Sequence, residues 1–166
     1  IFTVVRAVLL RELPFERPDE LVQVGHTRPG RGAVFGGFSP QDFEDVRAAA
    51  DKFSAITAYF YTPGLGTRNL TGLGEPLNVS AVMADGHLFE TLGVSAVQGR
   101  TFDASDDVVG ANQVVVLSDQ FWRSALGGDP EVVGRVVQLD GQPFRVVGVT
   151  PGNVASIDWA SYPILE

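Results

Sequence analysis

The run at residues 114–151, VVVLSDQFWRSALGGDPEVVGRVVQLDGQPFRVVGVTP, constrains the fold of this chain more than any other segment. Its first four residues are apolar and β-branched or leucine, which suits a buried strand. Ser118 follows, a residue type that caps helix N-termini by accepting a backbone N–H. An amphipathic helix carrying Phe121, Trp122 and Leu126 comes next, and Gly127-Gly128 stops it. Residues 133–139 and 143–149 then alternate as strands. Asp140-Gly141 joins them and is a strong hairpin signal. No nucleophile with a base, metal cluster or phosphate loop lies in this run, so it reads as a packing module.

Composition limits the partners. The chain has 166 residues, 45% of them apolar and 19% charged, with 19 Gly and 10 Pro, which is a folded and turn-rich α+β composition. It carries 12 basic against 20 acidic side chains and a formal charge of −8, where a nucleic-acid site would need clustered Lys and Arg. With no cysteine, disulfides and thiolate chemistry are excluded.

The apolar segment at residues 1–13 is interrupted only by Arg6, Arg11 and Glu12. It is shorter than the roughly 20 residues a spanning helix needs, and it lacks the build of a signal peptide. It reads equally as the last turns of a membrane helix or as an ordinary amphipathic helix, ended by Leu13-Pro14. At residues 162–166 a strand is entering, so both ends read as cut edges of a longer protein.

Between these ends the pattern predicts mixed elements. Leu21, Val22 and Val24 form a short strand, and residues 28–37 form a Gly-rich loop without a phosphate-binding fingerprint. Ser39-Pro40 opens a helix with Asp42 in an approximate capping box. Phe43, Val46 and Ala50 share its apolar face, and Asp42, Glu44, Asp45 and Arg47 lie on its solvated face. Residues 53–61 read as a strand, with Tyr59, Phe60 and Tyr61 as packing residues rather than a ligand platform. Residues 65–73 and 77–83 are strands pairing around Gly74-Glu75-Pro76. Residues 86–92 form a short helix with Asp85 as its cap and Gly93 as its stop. Asp103, Asp106 and Asp107 make a solvated acidic turn; the loop lacks the spacing of a calcium-binding hand. His26 and His87 are too isolated to suggest zinc. Asn69-Leu70-Thr71 and Asn78-Val79-Ser80 match the glycosylation sequon, a match that arises often by chance. No catalytic, cofactor-binding or metal-ligating residue is assigned, and no cofactor is expected.

Several blocks together resemble one family. They are Arg11-Glu12-Leu13-Pro14-Phe15 with Arg17-Pro18-Asp19-Glu20-Leu21-Val22; Ser39-Pro40-Gln41-Asp42-Phe43; Asn69-Leu70-Thr71-Gly72 with Gly74-Glu75-Pro76; and Phe89, Leu92-Gly93-Val94 and Gly99-Arg100-Thr101-Phe102. The run at 114–151 completes the set through Phe121-Trp122, Gly127-Gly128-Asp129-Pro130, Leu139-Asp140-Gly141 and Val146-Val147-Gly148-Val149. In order and spacing they resemble the MacB-like periplasmic core domain of ABC transporter permeases with FtsX-like membrane segments. Arg6, and Met83-Ala84-Asp85-Gly86-His87, depart from the family's usual wording.

The resemblance implies an α+β fold of mixed sheets with short helices in two lobes, one porter-like and one inserted. It implies that residues 1–13 end a transmembrane helix and that residues 14–166 form an extracytoplasmic domain whose C-terminal part is missing. The implied role is non-enzymatic: relaying ATP-driven motion across a bacterial inner membrane to export a substrate or move a periplasmic partner. The implied partners are an ABC ATPase domain or subunit, a second permease copy, and the membrane through the N-terminal helix, with no nucleic acid. The alternative is a periplasmic adaptor module without transport.

Overall fold

The computed structural model describes residues 15–24, 26–28, 32–34, 38–60, 67–108, 110, 113–152, 154 and 164–165. The fold is mixed α+β, with short helices and largely antiparallel sheets. Its centre is the longest strand, β11 (Gln142–Val149). β10 (Val136–Leu139) pairs antiparallel along the first half of β11, from Val136 opposite Arg145 to Leu139 opposite Gln142. The turn between them is the expected one, with Asp140 at φ 51° and Gly141 at φ 80°. β5 (Thr67–Thr71) and β6 (Leu77–Ser80) extend the sheet beyond β10 as an antiparallel hairpin. β9 (Val114–Leu117) lies parallel to β11, and β8 (Gln98–Gly99) joins antiparallel at Gly148 and Val149.

Side chains alternate across a strand, so β9 serves two cores. Val115 and Leu117 pack with the buried Leu70, Val132, Val137, Val146 and Val149. Val116 packs on the other side, with Phe15, Leu88, Phe89, Leu92 and Val94. A β-bulge between Val146 and Gly148 shifts the alternation of β11 and lets Val146 and Val149 enter the same core. Val137, Val146 and Val149 are 0% exposed, and each such valine contributes about 1.5 kcal/mol or more by leaving water.

The first core is closed by the helix α3 (Asp119–Leu126), preceded here in the chain by α1 (Pro40–Ala49) and α2 (Leu88–Leu92). Ser118 Oγ accepts from Phe121 N at 3.2 Å, and Gly127 ends α3 at φ 62° in the left-handed region. Phe121, Trp122 and Leu126 face the sheet, and Trp122 Nε1 donates to Asp129 O at 2.8 Å. At α1 the capping box is complete, with Asp42 in the place of the usual glutamate. α2 carries Leu88, Phe89 and Leu92 into the second core, and Phe89 meets Phe102 edge to face at 4.7 Å.

Three small ladders stand apart from the large sheet. β1 (Gln23–Val24) is parallel to β12 (Ile164–Leu165), which is the strand expected to enter at the chain's end. β2 (His26–Arg28) pairs with β3 (Gly32–Val34), so part of the expected Gly-rich loop is a hairpin; residues 29–31 and 35–37 lie outside the described residues. β4 (Tyr59–Phe60) pairs with β7 (Met83–Ala84).

The structure corrects several sequence expectations. Of the strand expected at 53–61, the described residues show only Tyr59–Phe60, because Ala58 gives its backbone N–H to the Asp85 carboxylate instead of a ladder, and Thr57 Oγ1 holds the same carboxylate. Residues 77–83 divide between two ladders. The strand expected from 133 begins at 136, since Gly134 turns the chain at φ 92° and Arg135 N bonds back to Val132 O. Likewise, Leu21 and Val22 precede the strand, which is only Gln23–Val24. The helix at 86–92 begins at Leu88. The first helix expected at residues 1–13, its stop at Leu13-Pro14, and Tyr61 lie outside the described residues.

Candidate functional site

Two carboxylates, Asp85 and Asp106, organise the polar structure around the N-terminal end of α2. Asp85 links segments distant in sequence. Its Oδ2 accepts from Arg47 Nη2 at 3.0 Å and from Ala58 N at 3.3 Å. Its Oδ1 accepts from Thr57 Oγ1 at 2.5 Å and from His87 N at 3.1 Å. Asp85 was expected to cap α2, and the bond from His87 N is the remnant of that role; the N-cap position itself is His87. Arg47 was expected on the solvated face of α1. It is half-buried instead, stacked over Phe43 at 4.7 Å and paired with Asp85.

Asp106 closes the second cluster. Arg100 grips it in a two-pronged pair, Nη1 to Oδ2 at 2.6 Å and Nη2 to Oδ1 at 2.8 Å, and Asp103 N adds a third bond at 3.0 Å. The hydrogen bond from Arg100 holds the Asp106 carboxyl below its ordinary range, against the opposing effect of burial. Asp103 is also lowered, first by Ser105 Oγ at 2.5 Å and then by Ser105 N at 2.8 Å. Asp107 accepts from Gly86 N at 3.3 Å. The stretch expected to be a solvated acidic turn is therefore a built loop, with Asp106 buried. Gly86 lets it come close, because a Cβ there would lie 2.6 Å from Asp103 O and from Ala104 Cα.

This geometry holds backbone in place and offers little to a substrate. The donors that fill both carboxylates come from the chain itself. Among the described residues no group of three or more His, Cys, Asp or Glu could hold a metal. His87, whose backbone N–H serves Asp85, turns its ring to the surface, with Nδ1 3.3 Å from Glu90; the side chain of His26 is outside the described set. The solvated carboxylates of α1, Asp42, Glu44 and Asp45, are exposed as expected. Of the aromatic run, Tyr59 is half-buried; it accepts from Gln23 Nε2 at 2.8 Å, and burial raises its pKa. Phe60 is 61% exposed, opposite Met83 at 55%. Sequence reasoning missed the joining role of Arg47 and Asp85, which are 38 positions apart.

A family model described as the MacB-like periplasmic core domain matches residues 1–163. The chain belongs to the MacB-like periplasmic core domain family. Among curated relatives, the macrolide export ATP-binding/permease protein MacB of Aggregatibacter actinomycetemcomitans is 34% identical over 93 residues, covering 51% of this chain. MacB 1/2 of Paracoccus denitrificans is 35% identical over 85 residues, covering 47% of this chain. The match spans only 12% of the length of either relative. Among solved structures, the extracellular domain of the noncanonic ABC-type transporter YknZ from Gram-positive bacteria aligns with a TM-score of 0.56 at 18% identity, covering 75% of this chain and 68% of its own. The periplasmic region of MacB from Actinobacillus actinomycetemcomitans aligns at 0.53 and 22% identity, covering 84% and 68%. These two likenesses establish the MacB-like fold. No described helix is long and apolar enough to cross a membrane.

Proposed function

We propose that this chain is the extracytoplasmic domain of an ABC transporter permease and that it relays ATP-driven motion to an exported substrate or a partner on the outer side of the membrane. The observation that carries this reading is the family match over residues 1–163. The architecture supports it. A relay needs a body that moves as a unit, and here two apolar cores pack on opposite faces of one strand, β9. The two most sheltered carboxylates, Asp85 and Asp106, are held in internal clasps by Arg47 and Arg100. The reading assigns the domain no reaction of its own. Its partners are an ABC ATPase domain or subunit, a second permease copy and the membrane, through residues 1–13.

The relay is tested by site-specific crosslinking between two copies of the reconstituted permease, with and without ATP. These 166 residues hold no cysteine, so in a permease cleared of any cysteine elsewhere the introduced ones report one position each. The expected result is a crosslink between the domains whose yield changes with nucleotide. Identical yields at all positions with and without ATP would sink the relay.

A further inference from the structure

Helix α1 differs from the other helices in how it is attached. α2 buries apolar side chains in one core and α3 packs half-buried ones against the other, whereas no side chain of α1 belongs to either core. Phe43, Val46 and Ala50 are only half-buried. A polar tie from α1 to the body is the ion pair from Arg47 to Asp85 at 3.0 Å. The Asp85 end of that pair is well sheltered, with a side chain 12% exposed, and three further donors from Thr57, Ala58 and His87 fix its position. The Arg47 end is the weaker one: its side chain is 33% exposed and its buried Nε has no partner. A strong, preset acceptor thus meets a donor that can leave, and an unsatisfied buried N–H lowers the cost of leaving.

We infer that α1 is a strap closed by a clasp between Arg47 and Asp85, and that it opens and closes on the body while the six-stranded sheet stays folded. The reason is the distribution of contacts. Segments with few buried apolar groups open at lower free energy than the core they lie on. The helix has 10 residues, too few to persist once undocked even with its capping box at Ser39 and Asp42, so its backbone hydrogen bonds open with it and its amides exchange. Opening would bare its face of Phe43, Val46 and Ala50. The inference concerns this chain alone and does not depend on the transport reading.

Native-state hydrogen exchange on this chain tests it. In the unaltered protein the amides of α1 should exchange at least about 100-fold faster than those of β10 and β11. Arg47→Met removes the cation and leaves the other three donors on Asp85. It should speed exchange in α1 by a further factor of about 10, while β10 and β11 speed by no more than that factor and stay far slower than α1. Arg47→Lys restores the charge and should recover part of the protection. Equal exchange of α1 and β11 in the unaltered protein would overturn the strap. So would an Arg47→Met variant whose α1 exchanges as before.

Discussion

Replacing Gly148 with alanine should destabilise the domain by about 3 kcal/mol, a fall in Tm of about 6–12 °C for a chain of this size. The cause is a collision with backbone. A Cβ at Gly148 would run into Arg100 O and lie 2.8 Å from Gln98 O. A carbonyl in a strand cannot swing aside as a flexible side chain does, so β8 must leave β11 for the methyl group to enter. The ladder lost is the pair Gly148–Gly99 and Val149–Gln98, along with the bond from Arg100 N to Val147 O. β8 leads directly into the loop that carries Asp103 and Asp106, so the loop is expected to loosen with it. Gly134 provides the comparison. It sits at φ 92° with nothing within 4 Å of a would-be Cβ, so Gly134→Ala should cost only the backbone strain, about 1–2 kcal/mol. Urea denaturation of both variants separates collision from strain. Equal losses would mean that the crossing of β8 and β11 is not tight.

Arg100→Met should have an effect of similar size but with a pH dependence. Asp106 has a side chain only 11% exposed, and Arg100, with a side chain 51% exposed, is its paired cation among the described residues. Removing a partner from a buried charge costs about 3 kcal/mol, and screening by solvent at the half-exposed Arg100 brings this to about 2 kcal/mol. The sign with pH follows from the direction of the shift. The folded Asp106 carboxyl titrates below its ordinary range, chiefly through the hydrogen bond from Arg100. Its contribution is therefore complete above the unfolded value of about 3.9 and is lost as pH falls from there through the lower folded value. Without Arg100, burial pushes the carboxyl up, and the variant accepts a proton readily in acid. The gap between the parent and Arg100→Met should be widest at neutral pH and should narrow below about pH 4. Denaturant titrations at neutral and acid pH measure this, and a gap that stays constant with pH would remove the ion pair from the account.

Local features of this fold are legible in the sequence because their partners are near neighbours. Ser118 caps an amide three residues on, Gly127 ends α3 one residue after Leu126, and Asp140-Gly141 turns between adjacent strands. The capping box at Ser39 and Asp42 is of the same kind. Distant pairings leave no such mark. Residues 53–58 have the β-branched and aromatic character of a strand, yet Ala58 donates to the Asp85 carboxylate and accepts from Asp85 N. Asp103, Asp106 and Asp107 look like a solvated turn until β8 places Arg100 against Asp106 and Gly86 admits the loop. A glycine inside a strand, such as Gly148, signals a close approach, but the sequence does not say to what. The candidate site was less legible than the fold. Carboxylates far apart in sequence receive their donors only through the tertiary structure, and those donors turn apparent surface charges into fasteners.

The location on the outer side of the membrane is the central claim, and a single label tests it. Glu75 is exposed in the turn between β5 and β6, and these 166 residues hold no cysteine, so a permease cleared of cysteines elsewhere carries the introduced one alone. Glu75→Cys in the membrane-embedded permease of intact cells should react with a membrane-impermeant maleimide added outside, after the outer membrane, where one is present, has been made permeable. Labelling before lysis equal to labelling after lysis is the predicted result. Protection of the cysteine until the inner membrane is broken would place the domain in the cytoplasm and contradict the account.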